Sequence, residues 1–148
     1  MHDGNGTSPA EILNVVTKAS RPFQHLGFEV LDVKAGYLRL AMRVRPEMLG
    51  GHGFCEGGYI FSLADLACAF ACLTRNEWAL TQSANINFIA PAREGERLIA
   101  NATEISRTKR SGIYDVTVTG EGGKLVAMLR GQFAIQGTPI LPVASPGR

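Results

Sequence analysis

The sequence predicts an α+β fold in which one strongly curved antiparallel sheet wraps around a single long helix. The helix is indicated by residues 57–73, GGYIFSLADLACAFACL, which read as apolar on nearly every side. Segments with the character of strands precede and follow it in runs, an order typical of α+β rather than alternating α/β proteins. A helix that is apolar all round must be covered all round, and a curved sheet would provide that cover.

The composition is that of one globular domain. The 148 residues are 45% hydrophobic and 19% charged, which suits a domain spanning residues 1–148, and we expect flexible ends at 1–9 and 138–148. A net charge of +2 argues against nucleic acid as a partner. The N-terminus lacks the apolar core of a signal peptide, and the longest apolar stretch is shorter than the ~20 residues of a membrane span. We expect a cytoplasmic protein without a membrane partner.

The predicted order is a short helix, two strands, the long helix and four strands. Ser8 before Pro9, with Glu11 three residues later, is a capping pattern for a helix over residues 9–20. Strand patterns of alternating or continuous apolar residues occur at residues 27–33, 37–45, 79–90, 96–107, 112–120 and 124–136. An exposed edge strand of such a sheet would need a partner, which favours a dimer.

An acid, Asp65, interrupts the apolar helix. A buried carboxylate without a partner costs several kcal/mol, so it either hydrogen-bonds a neighbouring strand or lines a reaction site as base or nucleophile. The preceding loop favours the second interpretation, because five glycines between Gly50 and Gly58 let the backbone approach a ligand closely. The N–H groups at a helix start stabilise an oxyanion. Carboxylate and helix start together predict an acyl-transfer site.

The two parts of this site cannot both come from one helix. Gly57 and Asp65 are eight residues apart, which is ~12 Å along the helix axis. Groups that act on one carbonyl must lie within ~3–3.5 Å of the reacting atoms. Two antiparallel helices related by a two-fold axis satisfy this requirement, so we expect two equal sites at a subunit interface.

Neither disulfides nor a metal centre are indicated. The cysteines are three in number, Cys55, Cys68 and Cys72, and an odd, clustered set does not form a disulfide framework. His52, Cys55 and Glu56 could offer metal ligands, but no second ligand pair follows them. We therefore expect no metal ion and no cofactor.

Two segments carry a resemblance to a known family. They are HGFCEGGYIFSLADLACAFACLTR and SANINFIAPAREGERLIANATEISRTKRSGIYDVTVTGEGGKLVAMLRGQFA. Over roughly residues 23–135 the chain resembles the hotdog-fold acyl-CoA thioesterases of the phenylacetic-acid-degradation (PaaI) type, and the G-G-x-x-x-x-L-x-D helix is the most specific part. That family's fold is an antiparallel sheet wrapped around a long helix, assembled as dimers and often tetramers. Coenzyme A would be part of the substrate.

The resemblance implies roles for individual residues. Asp65 would be the catalytic carboxylate, as base towards water or as nucleophile. Gly57 would give its backbone N–H to the thioester oxygen. Family members often place the water with a hydroxyl on the following strand, for which Thr81 and Ser83 are candidates, although ordinary strand packing explains both equally well.

Two positions depart from the family pattern. Glu56 stands where the family usually has His, and Gly50 where it usually has Asn or Gln. The side-chain donors to the thioester carbonyl are therefore missing. His52 could supply one instead, or simply stabilise the loop.

Substrate contacts are expected at two further places. Cations near the TKRS turn fit the CoA phosphates, although a solvated turn is an equally good explanation; they are Arg107, Lys109 and Arg110. Residues at the helix start and in the third strand could contact an aryl-acyl group; they are Gly58, Tyr59, Phe61 and Phe88. Aromatic residues in these places are more often part of the core.

We expect hydrolysis of an acyl-CoA thioester, with an aryl-acyl group such as phenylacetyl or hydroxyphenylacetyl, by a homodimer or homotetramer. One alternative is an enoyl- or hydroxyacyl-CoA hydratase or dehydratase of the same fold, which would pair a histidine with the acid; His52 does not match that position well. Another is a non-catalytic acyl-CoA-binding protein. A regulator of that kind would need a DNA-binding segment, which the ~25 residues before the first strand cannot provide.

Overall fold

A six-stranded antiparallel sheet packed against one long helix dominates the structure, a computed structural model that describes residues 7–143. The helices are α1 (Pro9–Ala19), α2 (Arg21–His25) and α3 (Gly57–Leu73). The strands are β1 (Glu29–Lys34), β2 (Tyr37–Arg43), β3 (Ala79–Phe88), β4 (Arg97–Arg107), β5 (Ser111–Thr119) and β6 (Leu125–Ile135). The predicted hotdog architecture is confirmed. No helix within residues 7–143 is long and apolar enough to cross a membrane.

The strand order is β1-β2-β4-β5-β6-β3, with every neighbouring pair antiparallel. Because α3 is inserted between β2 and β3, the chain crosses the sheet and β3 pairs with β6 at the far edge. The alternation in the second strand places Leu38, Leu40 and Met42 in the core, and α3 contacts β2 to β6 from the concave side.

The sheet covers α3 on one side only, whereas the sequence suggested complete cover. The buried positions of α3 are Ile60, Leu63, Ala64, Ala67, Cys68, Phe70, Ala71, Cys72 and Leu73. A stripe along the opposite side stays partly open, and it comprises Gly58, Ser62, Asp65, Leu66 and Ala69. The acid therefore lies on the uncovered side of the helix.

The N-terminal helix begins as its capping pattern predicts, but a second helix follows it. The Ser8 Oγ accepts a hydrogen bond from the Glu11 N–H (3.2 Å). Helix α1 ends at Ala19, and α2 begins at Arg21. Ser20 is the N-cap of α2, because its Oγ accepts a hydrogen bond from the Phe23 N–H (3.3 Å). Helix α2, which was not predicted from the sequence, packs Phe23 against Phe28 and Phe70.

Residues near both limits of the described chain make contacts with the fold. Residues 1–6 and 144–148 lie outside the described residues, but Thr7 is buried and Pro9 is already helical. Near the other end, Asn76 exchanges two side-chain hydrogen bonds with the backbone of Leu141 (2.9 and 3.1 Å). The expectation of flexible ends at 1–9 and 138–148 stays a prediction.

A polar network holds the C-terminal end of α3. The Arg107 guanidinium donates to the Cys72 carbonyl (3.0 Å) and to the Tyr114 hydroxyl (2.9 Å). That hydroxyl donates to Glu104 (2.8 Å), which Arg75 binds with two N–H groups (2.8 and 3.2 Å). A cation on a helix-terminal carbonyl complements the helix dipole, so this end of α3 is pinned to β4 and β5.

The network makes stability depend on pH through Glu104. Burial acts to raise its pKa, but the hydrogen bonds from Arg75 and Tyr114 outweigh burial and leave the pKa below its ordinary value. A lowered pKa contributes stability above the unfolded-state pKa and loses it as pH falls through the folded-state pKa. We expect Glu104→Gln to lower the free energy of unfolding by about 1–2 kcal/mol at pH 7, and by less towards pH 3, in urea titrations. Glu94→Gln, on an exposed side chain, is the control, and a pH-independent loss would contradict the expectation.

Candidate active site

The first turn of α3 presents uncapped backbone donors. Glu56 is the N-cap residue, and its side chain makes no hydrogen bond to the helix. Its own N–H donates to the Met48 carbonyl, and the Cys55 N–H donates to the Ala92 carbonyl (both 2.8 Å), which fixes the backbone leading into the helix. Within the described part of the chain, the N–H groups of Gly57 and Gly58 have no hydrogen-bond partner. These donors remain available to an incoming oxygen.

An apolar cavity of about 390 Å³ lies beside this helix start. A Cβ added to Gly57 would lie 3.0 Å from Phe88 Cζ, so a glycine at this position lets the aromatic ring rest on the helix. The cavity is lined by Phe54, Cys55, Gly57, Ile60, Phe88, Ile89, Ala90 and Pro91. The sequence predicts Phe88 as a contact of the acyl group but does not predict most of the other lining residues.

Asp65 lies on the open stripe of α3, two turns beyond Gly57. Among residues 7–143 its carboxylate has no hydrogen-bond or ion-pair partner. Burial raises its pKa above the ordinary value. The structure therefore does not show the alternative considered for Asp65, a hydrogen bond to a neighbouring strand. A base or nucleophile that is desolvated and unpaired is chemically poised to act on a substrate.

The two candidate hydroxyls lie on opposite faces of β3. Thr81 pairs with Phe133, a buried residue of the face that packs on α3. A bulge at Gln82 then shifts the register, so that Ser83 pairs with the exposed Gln132. Ser83 thus lines a shallow cavity on the outer face of the sheet. Thr81 is the hydroxyl on the face of the sheet that bears the helix.

The loop before α3 separates the other proposed donor from the helix start. His52 lies exposed in the turn closed by the hydrogen bond from the Gly53 N–H to the Gly50 carbonyl (2.9 Å), and it does not line the cavity.

The two positions that depart from the family pattern, Gly50 and Glu56, lie in contact with each other. A Cβ added to Gly50 would lie 2.8 Å from the Glu56 Cδ, so the Glu56 side chain occupies the space that a residue 50 side chain would fill.

The proposed phosphate ligands separate into two groups. Arg107 is committed to the network at the end of α3, and only 13% of its side chain is exposed, which argues against a role in binding phosphate. Lys109 and Arg110 are exposed and line an open cavity of about 650 Å³ with Glu77 and Gln136. These two cations remain available to an anionic ligand.

The residues predicted to contact the acyl group do not all lie at the cavity. Tyr59 and Phe61 are partly buried and pack against the core, and neither lines the cavity at the helix start. Gly58 lies on the exposed edge of the first helical turn. Of the aromatic candidates, Phe88 is the one that the structure places at the cavity.

Within residues 7–143 no group of three His, Cys, Asp or Glu side chains is placed to hold a metal ion. Cys55, a cavity residue, is buried, and burial and the neighbouring Glu56 charge raise the pKa of its thiol to about 11. A thiol of that pKa is protonated at neutral pH and is a poor nucleophile. The carboxylate of Asp65 is the stronger candidate for chemistry.

The curved antiparallel sheet on one long helix is the hotdog fold, and here that helix carries an unpaired acid and an uncapped start. Residues 52–127 match the model of the thioesterase superfamily, and the chain belongs to that superfamily. Acyl-coenzyme A thioesterase PaaI of Escherichia coli K12 is 36% identical over 107 residues, which cover 72% of this chain and 76% of the relative. A putative esterase of Archaeoglobus fulgidus is 36% identical over 114 residues, 77% of this chain and 74% of the relative.

The solved structures agree with this assignment. The structure of E. coli PaaI superimposes with a TM-score of 0.87 at 30% identity, and it covers 88% of this chain and 95% of that one. The resemblance inferred from the sequence is confirmed, since the chain belongs to the thioesterase superfamily and is similar to PaaI over most of its length.

The unpaired acid should reduce stability. Because the folded protein holds the Asp65 proton more tightly than the unfolded chain, the charged carboxylate destabilises the fold at neutral pH, and this cost disappears as pH falls and Asp65 is protonated in both states. We expect Asp65→Asn to raise the melting temperature by roughly 2–4 °C at pH 7 and to have little effect near pH 3, at equal protein concentrations. Asp115→Asn is the matched contrast, since hydrogen bonds from Arg130 lower the pKa of Asp115 and its loss should not stabilise. A lower melting temperature for Asp65→Asn would contradict the expectation.

Proposed function

We propose that this protein hydrolyses acyl-CoA thioesters, with Asp65 as the catalytic carboxylate and the Gly57 N–H as the oxyanion donor. The observation that carries the proposal is the pairing of an unpartnered, desolvated acid with an uncapped helix start on the same element. The E. coli relative, named an acyl-coenzyme A thioesterase, supports the choice of substrate class.

Each site is built from two copies of the chain. Asp65 and Gly57 are ~12 Å apart along one helix, too far to act on one carbonyl. The open stripe of α3 and the exposed edge strand β3 are surfaces that a second copy would cover. An antiparallel arrangement of two α3 helices brings Asp65 of one copy to the Gly57 of the other, in a homodimer or a pair of such dimers.

The chemistry follows from these positions. The thioester oxygen accepts a hydrogen bond from the Gly57 N–H, which polarises the carbonyl. Asp65 removes a proton from water as the water oxygen attacks the carbonyl carbon, and the N–H stabilises the oxyanion that forms. The oxyanion collapses, the carbon–sulfur bond breaks, and the CoA thiolate takes up the proton. Alternatively the Asp65 carboxylate attacks the carbonyl carbon and the carbon–sulfur bond breaks, which leaves a mixed anhydride and the CoA thiolate. Water then hydrolyses the anhydride, which regenerates Asp65, and the thiolate takes up a proton from that water.

The remaining residues fit around this centre. Thr81, on the helix-facing side of β3, is the better candidate to hold the water, and Ser83 faces away. Lys109 and Arg110 supply positive charge for the phosphates of CoA. Hydrolysis of a thioester needs only water as co-reactant, so the scheme requires no metal or redox cofactor. An aryl-acyl group such as phenylacetyl is the proposed acyl class.

Activity should depend on the ionisation of Asp65. Because the base must be deprotonated and burial raises its pKa, we expect kcat/KM for phenylacetyl-CoA to fall on the acid side at a pH above the ordinary carboxyl range. Asp65→Asn should lower kcat by roughly 10²–10⁴-fold and remove that acid limb, measured by release of free thiol. A second assay, which measures hydration of an enoyl-CoA by the wild type, tests the hydratase alternative. Normal hydrolysis by Asp65→Asn would rule out the proposed mechanism.

A site shared between two copies should allow complementation. Asp65→Asn and Gly57→Val chains, each inactive alone, are mixed after unfolding and refolded together. A mixed dimer has one intact and one doubly defective site, so random mixing should restore about one quarter of the wild-type activity. Native mass spectrometry confirms that mixed dimers form. If they form and activity stays absent, the sites lie within single chains.

A further inference from the structure

We infer that Phe88 determines which acyl groups this thioesterase accepts, because its ring lines the apolar cavity beside the Gly57 N–H, where the acyl group would bind. This inference rests on the function proposed above. It assigns to Phe88 a role in specificity, separate from the proton transfer assigned to Asp65.

The backbone around Phe88 is held on both sides. Phe88 is the last residue of β3, and the next two N–H groups, of Ile89 and Ala90, both donate to the Val126 carbonyl (2.8 and 3.2 Å). Further along, the Ala92 carbonyl accepts from the Cys55 N–H, the residue two before α3. The segment that carries Phe88 is therefore tied both to β6 and to the loop that leads into the helix.

The ring of Phe88 lies directly against the helix start. A Cβ on Gly57 would lie 3.0 and 3.2 Å from two carbons at the far end of the ring. Nevertheless 53% of Phe88 is exposed, whereas Phe133, a core residue of the neighbouring strand, is 1% exposed. Phe88 ends the edge strand that a second copy is proposed to cover, and its ring also lines the cavity beside Gly57. One side of the Phe88 ring faces the cavity, within reach of whatever binds at the Gly57 N–H.

The cavity suits the acyl group better than the CoA arm. A carbonyl carbon held at Gly57 has two substituents, the acyl group and the sulfur of the pantetheine arm. The arm contains amide groups that would need hydrogen-bond partners, and among residues 7–143 no charged side chain lines the cavity. Apolar lining favours an apolar occupant, and a volume of about 390 Å³ accommodates an aryl or medium-length acyl group. An acyl group entering from Gly57 must pass alongside the Phe88 ring.

The consequence is a selectivity that depends on the ring. Aromatic groups pack favourably against each other in offset or edge-to-face geometry, so an aryl-acyl group gains a contact that acetyl cannot make. Loss of such a contact in an apolar pocket typically changes the ratio of kcat/KM values by roughly 10- to 100-fold.

The experiment measures kcat and KM for acetyl-, butyryl-, hexanoyl-, benzoyl- and phenylacetyl-CoA with the wild type, Phe88→Ala and Phe88→Leu. We expect Phe88→Ala to lower the phenylacetyl-to-acetyl ratio of kcat/KM by at least 10-fold, and Phe88→Leu to lower that ratio by a smaller factor. Ile105→Ala is the matched control, since Ile105 is equally exposed (53%) but lies on β4, away from the cavity lining, and should leave the ratio unchanged.

The outcomes separate this inference from the proposed function. If the wild type hydrolyses the panel and both Phe88 variants, folded by melting curve, keep its substrate ranking, the inference is overturned and the thioesterase function stands. A uniform loss on all substrates would also overturn it, because that result indicates a purely structural role. If the wild type hydrolyses none of the thioesters, the proposed function fails, and the inference fails with it.

Discussion

The structure depends on how a charged group is kept inside an apolar helix. The free energy cost of a desolvated carboxylate is avoided in most proteins by giving it a partner, and here the described chain gives Asp65 none. The acid is tolerated because it lies on the side of α3 that the sheet leaves open. The opposite side of α3 is buried, so the helix cannot turn to expose the carboxylate fully. The same burial that stabilises the fold therefore holds the acid in place and raises its pKa.

The connection between strands creates this open side. A helix inserted between β2 and β3 sends the chain across the sheet, so that β3 becomes an edge beside β6 rather than a neighbour of β2. The far end of α3 is fixed by the Arg107, Tyr114 and Glu104 network, and the near end by backbone hydrogen bonds of the loop before it. With both ends held, the helix start and the acid keep a constant relation to the edge strand.

Much of this arrangement could be predicted from local patterns. The long apolar helix, the Ser8 cap and the alternating second strand follow from spacing alone, because they depend on residues close in sequence. Other features depend on register or distant contacts. The bulge at Gln82 places Thr81 and Ser83 on opposite faces of the sheet, and no residue pattern in the strand predicts this bulge. Arg107 belongs to the turn in sequence but points to α3 in space. The helix α2 was missed although Ser20 and Pro22 repeat the capping pattern of α1.

The contact between Gly50 and Glu56 links the two positions at which this chain departs from its family. The glutamate side chain fills the volume above a residue that has no side chain of its own. Because the atoms in the way are the carboxylate end of an exposed, flexible side chain, a larger residue at position 50 would push Glu56 aside and leave the backbone undisturbed. Restoring the amide typical of the family at position 50 is therefore sterically permitted while Glu56 is still present.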